Sequence, residues 1–317
     1  MLTADQIAAR TDRALRAAEA AGRSLGLTVT DPRVLHDVFS VVVHLAPAPV
    51  VVRVPTVLPP AYTRSPERQA AQQHSELSVA GWLADRGHPV VAPSPLVPRQ
   101  PVRRDGFSMT FWQYAEELPN GEPDIVAGCA QTARLHAALR DYGGPGLGFW
   151  TPFNGFIPAA LAALDGQADL VDAADLARAR QEWAVLRPVL ESRSGFDAAF
   201  PGRGTQTIHG DAPFYNMIRT ADGLTWADFE LVTAGPVESD LAMAGPAGIE
   251  AYNEAAAACG LRRLDERVLR VTEAAARLGT VAALAMAPEL PLLLDALAPV
   301  LEQWRCTPPL TSAIWTE

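Results

Sequence analysis

The chain has 317 residues, of which 49% are hydrophobic and 20% charged, and its formal net charge is −10. This length supports a sizeable core, and the hydrophobic content excludes an intrinsically disordered protein. No apolar run approaches the roughly 20 residues of a membrane span, and the acidic balance argues against nucleic acid as a partner. We therefore expect a globular protein with neither a membrane nor a nucleic-acid partner, whose oligomeric state the composition leaves open.

The N-terminal segment and the cysteines bear on the cellular location of the protein. Residues 1–22, MLTADQIAARTDRALRAAEAAG, are rich in alanine and arginine, contain acidic residues and have no apolar signal core. This pattern predicts a helix and not a secretion signal. Cys129, Cys259 and Cys306 are widely spaced and odd in number, which predicts reduced thiols and no metal cluster. We therefore expect a cytoplasmic protein.

Two consecutive strands are predicted next, at Val38–Leu45 and Val50–Val54, joined by Ala-Pro-Ala-Pro. In the second strand, β-branched residues surround a single charge, Arg53, and Pro55 is placed to end the ladder. The chain contains no lysine, so all 26 of its basic residues are arginine. No G-x-G-x-x-G precedes the strands, so any loop that covers a phosphate is not of the glycine-rich type.

A long helix follows over residues 65–86, where apolar and small side chains recur at helical spacing and Gly87 is placed to end the helix. Glu76 falls in its middle. Phe107–Tyr114, FSMTFWQY, has strand character. The remaining predicted helices cover residues 124–142, several segments within 157–193, and most of 241–305.

The segment 208–230, IHGDAPFYNMIRTADGLTWADFE, contains a predicted hairpin. Met217–Thr220 and Leu224–Ala227 have strand character, and Ala-Asp-Gly between them supplies a turn with a glycine for the positive-φ position. With a loop of three residues, the ladder sets Asn216 opposite Asp228 at cross-strand distance. A loop of two residues shifts the register and loses that pairing.

Three oxygen-bearing side chains, those of Asp211, Asn216 and Asp228, stand at the ends of the short apolar runs in this segment. Two carboxylates and a carboxamide are hard ligands of the kind that Mg²⁺ takes beside phosphate oxygens. The segment therefore predicts a metal site at the mouth of the hairpin. The alternative is purely structural, with Asp211 capping a turn and Asp228 ending a strand.

The order of these residues resembles the aminoglycoside phosphotransferase family, which is related to the choline kinases and distantly to protein kinases. In that family an H-G-D-x-x-x-x-N loop precedes a D-[FW]-[DE] element, and this chain has His209-Gly210-Asp211, Asn216 and Asp228-Phe229-Glu230. The resemblance implies that Asp211 and His209 serve catalysis, with Asp211 taking or orienting the proton of the acceptor hydroxyl. It further implies that Asn216 and Asp228 hold magnesium on the phosphates of the nucleotide.

The resemblance also implies roles in the first half of the chain. Kinase-like folds place a strand lysine on the nucleotide phosphates, and without lysine our candidate for that cation is Arg53, whose guanidinium can donate two parallel bonds. Glu76 matches the helix glutamate that supports the cation better than Glu67 does. The strand FSMTFWQY matches the segment beside the adenine, which predicts nucleotide contacts from Met109 and Gln113. The alternatives are a solvent-facing arginine, an ordinary solvated glutamate and ordinary core packing.

Two further residues match the family by position. Asp240, within GPVESDLA, falls where the family's loop carries an aspartate, and His136, within ARLHAAL, is interpreted as a packing or capping residue without a catalytic role. The glycine-rich stretch after residue 142 lacks a preceding strand and a following Lys-Ser/Thr, so it is not a P-loop.

The predicted fold is α+β and kinase-like, with two lobes. A nucleotide-binding N-lobe, residues 1–115, has a mainly antiparallel sheet, and a larger helical C-lobe, residues 116–317, carries the catalytic loop, the metal hairpin and the acceptor-binding helices. The predicted function is an ATP- and Mg²⁺-dependent O-phosphotransferase, with GTP open as donor. Aminoglycosides, macrolides, amino alcohols and sugars are all candidate acceptors. The alternative, motivated by the missing lysine, is a pseudokinase-like protein that binds nucleotide without transferring phosphate.

Overall fold

The computed structural model describes residues 1–119, 124–144, 146–213 and 215–315. These residues form two compact units. The first unit holds Met1–Pro119, Ile218–Glu230 and Met286–Leu292, and the second holds the rest of the described chain. Most of the predicted metal hairpin therefore groups with the N-terminal unit, whereas the functional division at residues 115 and 116 stays a prediction.

The described chain is mixed α and β at first and mostly helical afterwards. The strands are β1 (Val29–Asp37), β2 (Ser40–Pro47), β3 (Val50–Pro55), β4 (Val102–Arg104), β5 (Phe107–Gln113), β6 (Gln206–Ile208), β7 (Met217–Thr220), β8 (Gly223–Trp226) and β9 (Thr233–Gly235). The helices are α1 (Ala4–Ser24), α2 (Pro60–Thr63), α3 (Pro66–Ala84), α4 (Ile125–Leu139), α5 (Thr151–Asn154), α6 (Ile157–Ala163), α7 (Ala173–Leu190), α8 (Arg193–Ala199), α9 (Gly245–Ala258), α10 (Glu266–Ala283) and α11 (Leu293–Cys306). Short 3-10 turns span Phe229–Leu231, Val237–Leu241, Leu284–Met286 and Ser312–Trp315. No helix in the described ranges is long and apolar enough to cross a membrane.

The first unit is built on a five-stranded sheet in the order β1-β2-β3-β5-β4, with every pair of neighbours antiparallel. Alternate residues of β2 and β3 are fully buried on one face, where they form a core with the alanines of α1. Burying a valine or leucine contributes about 1.5–3 kcal/mol. Helix and sheet approach closely at Gly22, where an added Cβ would clash with Leu45. This face therefore holds α1 on the sheet.

The opposite face of β3 carries Arg53, because side chains alternate along a strand and its neighbours Val52 and Val54 belong to the core. Arg53 pairs with residues of both β2 and β5, so it lies on a central strand. Helix α3 is attached to β5 through Gln73 and Ser108. The Gln73 amide donates to the Ser108 carbonyl at 3.1 Å, and the Ser108 hydroxyl donates back to Gln73 at 2.5 Å.

The hairpin of β7 and β8 has the shorter of the two loops that the sequence left open. Two residues, Ala221 and Asp222, separate the strands, so the two-residue alternative is the one present. The Thr220 hydroxyl closes the turn by donating to the Gly223 carbonyl at 3.1 Å and accepting from the Asp222 amide at 3.3 Å. With a loop of two residues, the cross-strand argument for Asn216 opposite Asp228 no longer applies.

The second unit is helical apart from the short antiparallel pair of β6 and β9. Its main core gathers apolar side chains of α6, α7, α8, α10 and α11 around Trp150 and Phe196, which meet edge to face with ring centroids 5.7 Å apart. A smaller core joins α4 to α9 through Cys129 and Tyr252. The last residue of β6, Ile208, is fully buried, and the side-chain amide of Gln206 on the same strand donates to the His136 carbonyl of α4 at 2.8 Å.

Candidate functional site

The predicted catalytic loop begins where β6 ends. The amides of His209 and Gly210 donate to the two carboxylate oxygens of Asp240, at 2.9 and 2.8 Å. Gly210 has φ of +87°, and a Cβ added there would clash with the Leu231 carbonyl oxygen. This position therefore requires glycine. The turn that follows places Asp211 at an exposed position.

Asp240 is the residue that holds this loop in the second unit. It is 2% exposed and also contacts Nε2 of the buried His136 at 2.9 Å. Nδ1 of the same imidazole contacts the Tyr252 hydroxyl at 2.9 Å. Asp240 thus connects the loop after β6 with α4, and His136 extends the connection to α9. His136 is packed in the interior, as interpreted from the sequence.

The His209 side chain is fully buried. A buried imidazole next to the loop is placed to support its neighbour, while the exposed carboxylate of Asp211 is accessible to a substrate. The catalytic role predicted for His209 stays a prediction.

Asp211 and Asn216 are hydrogen-bonded across the loop. Nδ2 of Asn216 donates to the Asp211 carbonyl at 2.7 Å and to its carboxylate Oδ2 at 2.8 Å. Because the nitrogen of the carboxamide faces Asp211, its oxygen Oδ1 is directed elsewhere, which suits a role as a metal ligand.

In the first unit, Arg53 lies among three carboxylates. Nη2 pairs with Oε2 of Glu76 at 2.5 Å, Nη1 pairs with Glu230, and Nε lies 3.7 Å from Oδ1 of Asp228. Nη1 also lies 3.3 Å from the Ser40 hydroxyl. Arg53 is 6% exposed and Glu76 is fully buried. The predicted pairing of Glu76 with Arg53 is confirmed, and the predicted solvent-facing alternative for Arg53 is excluded.

The charges in this cluster are unbalanced. Burial raises the pKa of Glu76 to about 8; Arg53 opposes the rise, and Asp228 and Glu230 add to it. Burial also works against the charge of Arg53, but the three carboxylates outweigh it and hold the pKa of Arg53 above its ordinary value. One guanidinium thus serves three acids, which makes the cluster negative when all are ionised.

Three buried atoms of the cluster have no hydrogen-bond partner among the described residues: Nε of Arg53, Oε1 of Glu76 and Oδ1 of Asp228. An unsatisfied buried polar atom typically costs about 1–3 kcal/mol. Asp228 also has φ of +54°, a left-handed conformation that is uncommon outside glycine. A hard cation bound to Asp228 would satisfy its oxygen, so the chemistry of this residue fits Mg²⁺. The described residues contain no group of three or more His, Cys, Asp or Glu able to hold a metal by themselves.

The two remaining residues predicted for nucleotide binding differ in accessibility. Met109 is fully buried in the core on the α1 face of the sheet, and packing accounts for it. Gln113 is exposed at the end of β5. The amides of Gln113 and Tyr114 donate to the carbonyls of Ala92 and Pro49, at 2.9 and 3.0 Å, so these two amides are already engaged within the first unit.

Glu230 had no role predicted from the sequence, although it is the last residue of the D-[FW]-[DE] element. Asp240 was matched to the family by position alone. For both residues the family pattern was the signal in the sequence that could have indicated their roles. Local patterns could not, because neither residue lies near its hydrogen-bond partners along the chain. Glu230 is 177 residues from Arg53, and Asp240 is 104 from His136.

Comparisons with known proteins identify the family of this chain. Residues 28–267 match the model of the phosphotransferase enzyme family. A search of curated protein sequences finds no significant match.

Solved structures with the same fold include the choline kinase LicA from Streptococcus pneumoniae, at 12% identity and a TM-score of 0.59, covering 91% of this chain and 98% of that chain. The GDP and kanamycin complex of APH(2")-IIia has 14% identity and a TM-score of 0.57, covering 91% and 97%. Spectinomycin phosphotransferase APH(9)-Ia, in complex with ADP and spectinomycin, has 11% identity and a TM-score of 0.56, covering 95% and 97%.

At these identities the similarity establishes the α+β, kinase-like fold and does not carry the acceptor. The predicted fold class is confirmed, and so is the resemblance on which the site residues were assigned. With a family model matched over well more than half of its length, this chain belongs to the phosphotransferase enzyme family.

Proposed function

We propose that the protein is an ATP- and magnesium-dependent phosphotransferase that moves the γ-phosphate to a hydroxyl group of a small molecule. The candidate acceptors are aminoglycoside-like compounds, macrolides, amino alcohols and sugars. GTP stays open as donor, since one similar structure was solved with GDP and another with ADP. A cytoplasmic location suits a nucleotide-dependent enzyme whose three cysteines are unpaired.

The observation that carries this proposal is the hydrogen-bonded pair of Asp211 and Asn216 on a loop fixed by Asp240. A general base must be held close to the proton that it accepts, and a carboxylate on a flexible loop is not held in one position. Here the two amides before Asp211 are anchored to a buried carboxylate, and its own oxygen is oriented by Asn216. The loop is thus built to present one carboxylate in one orientation.

In the proposed reaction Asp211 accepts or orients the proton of the acceptor hydroxyl. The hydroxyl oxygen forms a bond to the γ-phosphorus while the bond from that phosphorus to the β–γ bridging oxygen breaks, so the diphosphate leaves. His209 acts through the loop as a positioning residue and takes no proton.

We propose Asn216 and Asp228 as the magnesium ligands, on the family resemblance and on the oxygens that they leave available. When bound, magnesium would offset charge on the phosphates. Asn216 would offer Oδ1, because its nitrogen is engaged by Asp211. Asp228 would offer Oδ1, which is buried without a hydrogen-bond partner among the described residues.

Arg53 is proposed as the cation for the nucleotide phosphates, oriented by Glu76, with Gln113 near the base. The pseudokinase-like alternative is favoured by one observation, which is that both terminal nitrogens of the guanidinium are already paired, with Glu76 and Glu230. Phosphate oxygens therefore have to compete with Glu230 for this cation.

The test is a panel of the candidate acceptors incubated with ATP or GTP and Mg²⁺, and read by mass spectrometry as the gain of one phosphate. We expect Asp211→Asn to reduce turnover about 10²–10⁴-fold, the usual range for general-base assistance. Asp228→Ala should abolish the magnesium-dependent rate, and Asn216→Ala should weaken it less, because a carboxamide carries no charge. Asp222→Asn, an exposed aspartate in the β7–β8 turn, is the matched control.

A turnover of Asp211→Asn near that of the unmodified protein would show that Asp211 is not the base. If nucleotide binds and no acceptor gains phosphate, the pseudokinase-like alternative holds.

A further inference from the structure

The second unit contains a cavity of about 420 Å³ that is lined by arginine side chains, although the chain as a whole is acidic. Four arginines line it, Arg140, Arg193, Arg203 and Arg262, and its described lining includes no acidic residue. None of the residues proposed for catalysis or metal binding is among the described lining residues. The proposed reaction therefore gives this cavity no role.

The four arginines come from four separate places in the fold. Arg140 directly follows α4, Arg193 begins α8, Arg203 precedes β6, and Arg262 lies between α9 and α10. Side chains from such separate segments are not brought together by local sequence preference. The tertiary fold places these four arginines around one cavity.

Arg262 has a structural role. It makes two bonds to the fully buried Glu238, at 2.5 and 3.0 Å, and also donates to the carbonyls of Arg203 and Arg263. Its charge is therefore compensated inside the protein, and it forms part of the wall.

The other three guanidinium groups keep donors available. Arg193 has one long ion pair, 3.8 Å to Asp197, and Arg140 has one of 3.8 Å to its exposed neighbour Asp141. Arg203 uses Nε on Asp265 at 2.6 Å. Among the described residues, no partner is found for the terminal nitrogens of Arg193 and Arg203, and Nη1 of Arg140 has a single bond of 3.4 Å to the Gly260 carbonyl.

Two uncharged residues, Thr205 and Tyr142, complete the part of the lining that matters for a ligand. Oγ1 of Thr205 is buried without a hydrogen-bond partner among the described residues. The ring of Tyr142 also lines the cavity, which supplies an apolar surface. A ligand with a charged end and a small organic body would use both kinds of surface.

We propose that this cavity is a binding site for a small organic phosphate. A phosphate monoester presents three terminal oxygens, so it can accept from several converging guanidinium groups, whereas a carboxylate has two oxygens. The volume lies within the usual range for small-molecule sites, about 300–1,000 Å³. The site is separate from the proposed transfer reaction and does not depend on it.

The experiment is calorimetric titration of the full-length chain with inorganic phosphate, phenyl phosphate, citrate and phenol at low ionic strength. The decisive variants are Arg193→Ala and Arg187→Ala. Both arginines are exposed and each has one long i,i+4 acidic partner, at 3.8 Å for Arg193 and 3.9 Å for Arg187. They differ in that Arg193 lines the cavity.

We expect phenyl phosphate to bind, phenol not to bind, and Arg193→Ala to raise the Kd for phenyl phosphate about tenfold, the usual effect of losing one charge-assisted bond. Arg187→Ala should leave the Kd within about twofold of the unmodified protein. Arg140→Ala provides a second lining variant with the same expected direction. The site is refuted if phosphate and phenyl phosphate do not bind, or if Arg193→Ala and Arg187→Ala behave alike. Tighter binding of citrate than of phenyl phosphate would overturn the ligand class.

Discussion

Two ionic clusters, one in each unit, are built on opposite principles. Around Arg53 a single cation is shared by three carboxylates, and three of the buried polar atoms have no hydrogen-bond partner among the described residues. Around Asp240 a single carboxylate receives two backbone amides and contacts an imidazole, which in turn contacts a tyrosine hydroxyl. The first cluster has three acids for one cation and leaves buried polar atoms without hydrogen bonds, whereas in the second the Asp240 carboxylate and both nitrogens of the imidazole have partners.

The difference indicates which cluster can bind a ligand by exchanging hydrogen-bond partners and which cluster only holds the backbone in place. A satisfied buried network is rigid and loses stability when any member is removed. An unbalanced cluster with unsatisfied oxygens has something to gain from a cation or from a ligand that rearranges its pairs. We therefore assign the Asp240 cluster to holding the catalytic loop and propose the Arg53 cluster for binding nucleotide and metal.

The most severe test of this comparison is Asp240→Ala. The change leaves the amides of His209 and Gly210 and the ring of His136 without their acceptor in a buried place, so we expect the free energy of unfolding to fall by about 3–5 kcal/mol. Urea unfolding measures it. Asp197→Ala, which removes an exposed aspartate, should change the value by less than about 0.5 kcal/mol. A loss below about 1 kcal/mol for Asp240→Ala would mean that the loop is held by other contacts.

The second test removes the cation of the unbalanced cluster. We expect Arg53→Ala to lower the free energy of unfolding by about 2–3 kcal/mol at pH 7, less than the loss from Asp240→Ala, because Asp228 and Glu230 are partly exposed and water can solvate them when their partner is gone. The KM for ATP should rise. Arg53→Lys should retain part of the activity, since lysine keeps the positive charge but lacks the two parallel N–H donors of the guanidinium group. The measurements are urea unfolding and steady-state kinetics with ATP varied at saturating acceptor.

Unchanged stability and unchanged KM in Arg53→Ala would remove Arg53 from the site. The phosphate contact would then have to come from another arginine, with Arg64 and Arg68 next along the chain.

The third test concerns pH. The pKa of Glu76 is about 8 in the folded protein, against an ordinary value of 4.5. The folded state therefore binds this proton more tightly than the unfolded state does. The contribution of Glu76 to stability is fully present below pH 4.5 and is lost as the pH rises through about 8, with a slope of at most ~1.4 kcal/mol per pH unit.

Glu76→Gln should remove this slope, and Glu67→Gln, in the exposed first turn of α3, should keep it. The measurement is the free energy of unfolding between pH 4.5 and pH 8.5. A slope that persists in Glu76→Gln assigns the proton to another group.

The smallest expected effect is that of Glu230→Gln. Its side chain is 34% exposed, so we expect a loss of stability below about 1 kcal/mol. If Glu230 competes with nucleotide phosphates for Arg53, the same change should lower the KM for ATP severalfold. Steady-state kinetics measures this, with Asp222→Asn as control. An increase in KM would instead show that Glu230 holds Arg53 in the binding orientation.

Local pattern predicted the elements that have strong local signals. The strand around Arg53, the helix with Glu76 and its glycine stop, and the strand at FSMTFWQY are all present as β3, α3 and β5. Strand β1 was not predicted, because its residues VTDPRVLHD contain charges and a proline. That strand lies at the edge of the sheet, where a missing amide is tolerated. The pair of β6 and β9 was not predicted either, because partners so far apart leave no periodicity in the sequence.

The length of the β7–β8 loop was left open by the sequence for a different reason. A three-residue loop and a two-residue loop share the same Ala-Asp-Gly signal, and in the fold the Thr220 hydroxyl bonds to Asp222 and Gly223 across the two-residue turn. A turn pattern does not reveal such a side-chain bond, and a change of one residue in the loop length shifts the register of every residue beyond it.

The sequence by itself determined the chemical groups of this protein. The order His-Gly-Asp, Asn, Asp-Phe-Glu and the absence of lysine specify which oxygens are present and require that any strand cation be an arginine. The tertiary structure alone decided how these groups are paired. Arg53 meets Glu76 from 23 residues away and Glu230 from 177, and Asp240 reaches back 31 residues to His209. Pairing energies depend on distance and burial in the folded chain. The order of charged residues along the sequence therefore does not reveal that the polar groups around Asp240 are hydrogen-bonded while several buried polar atoms around Arg53 are not.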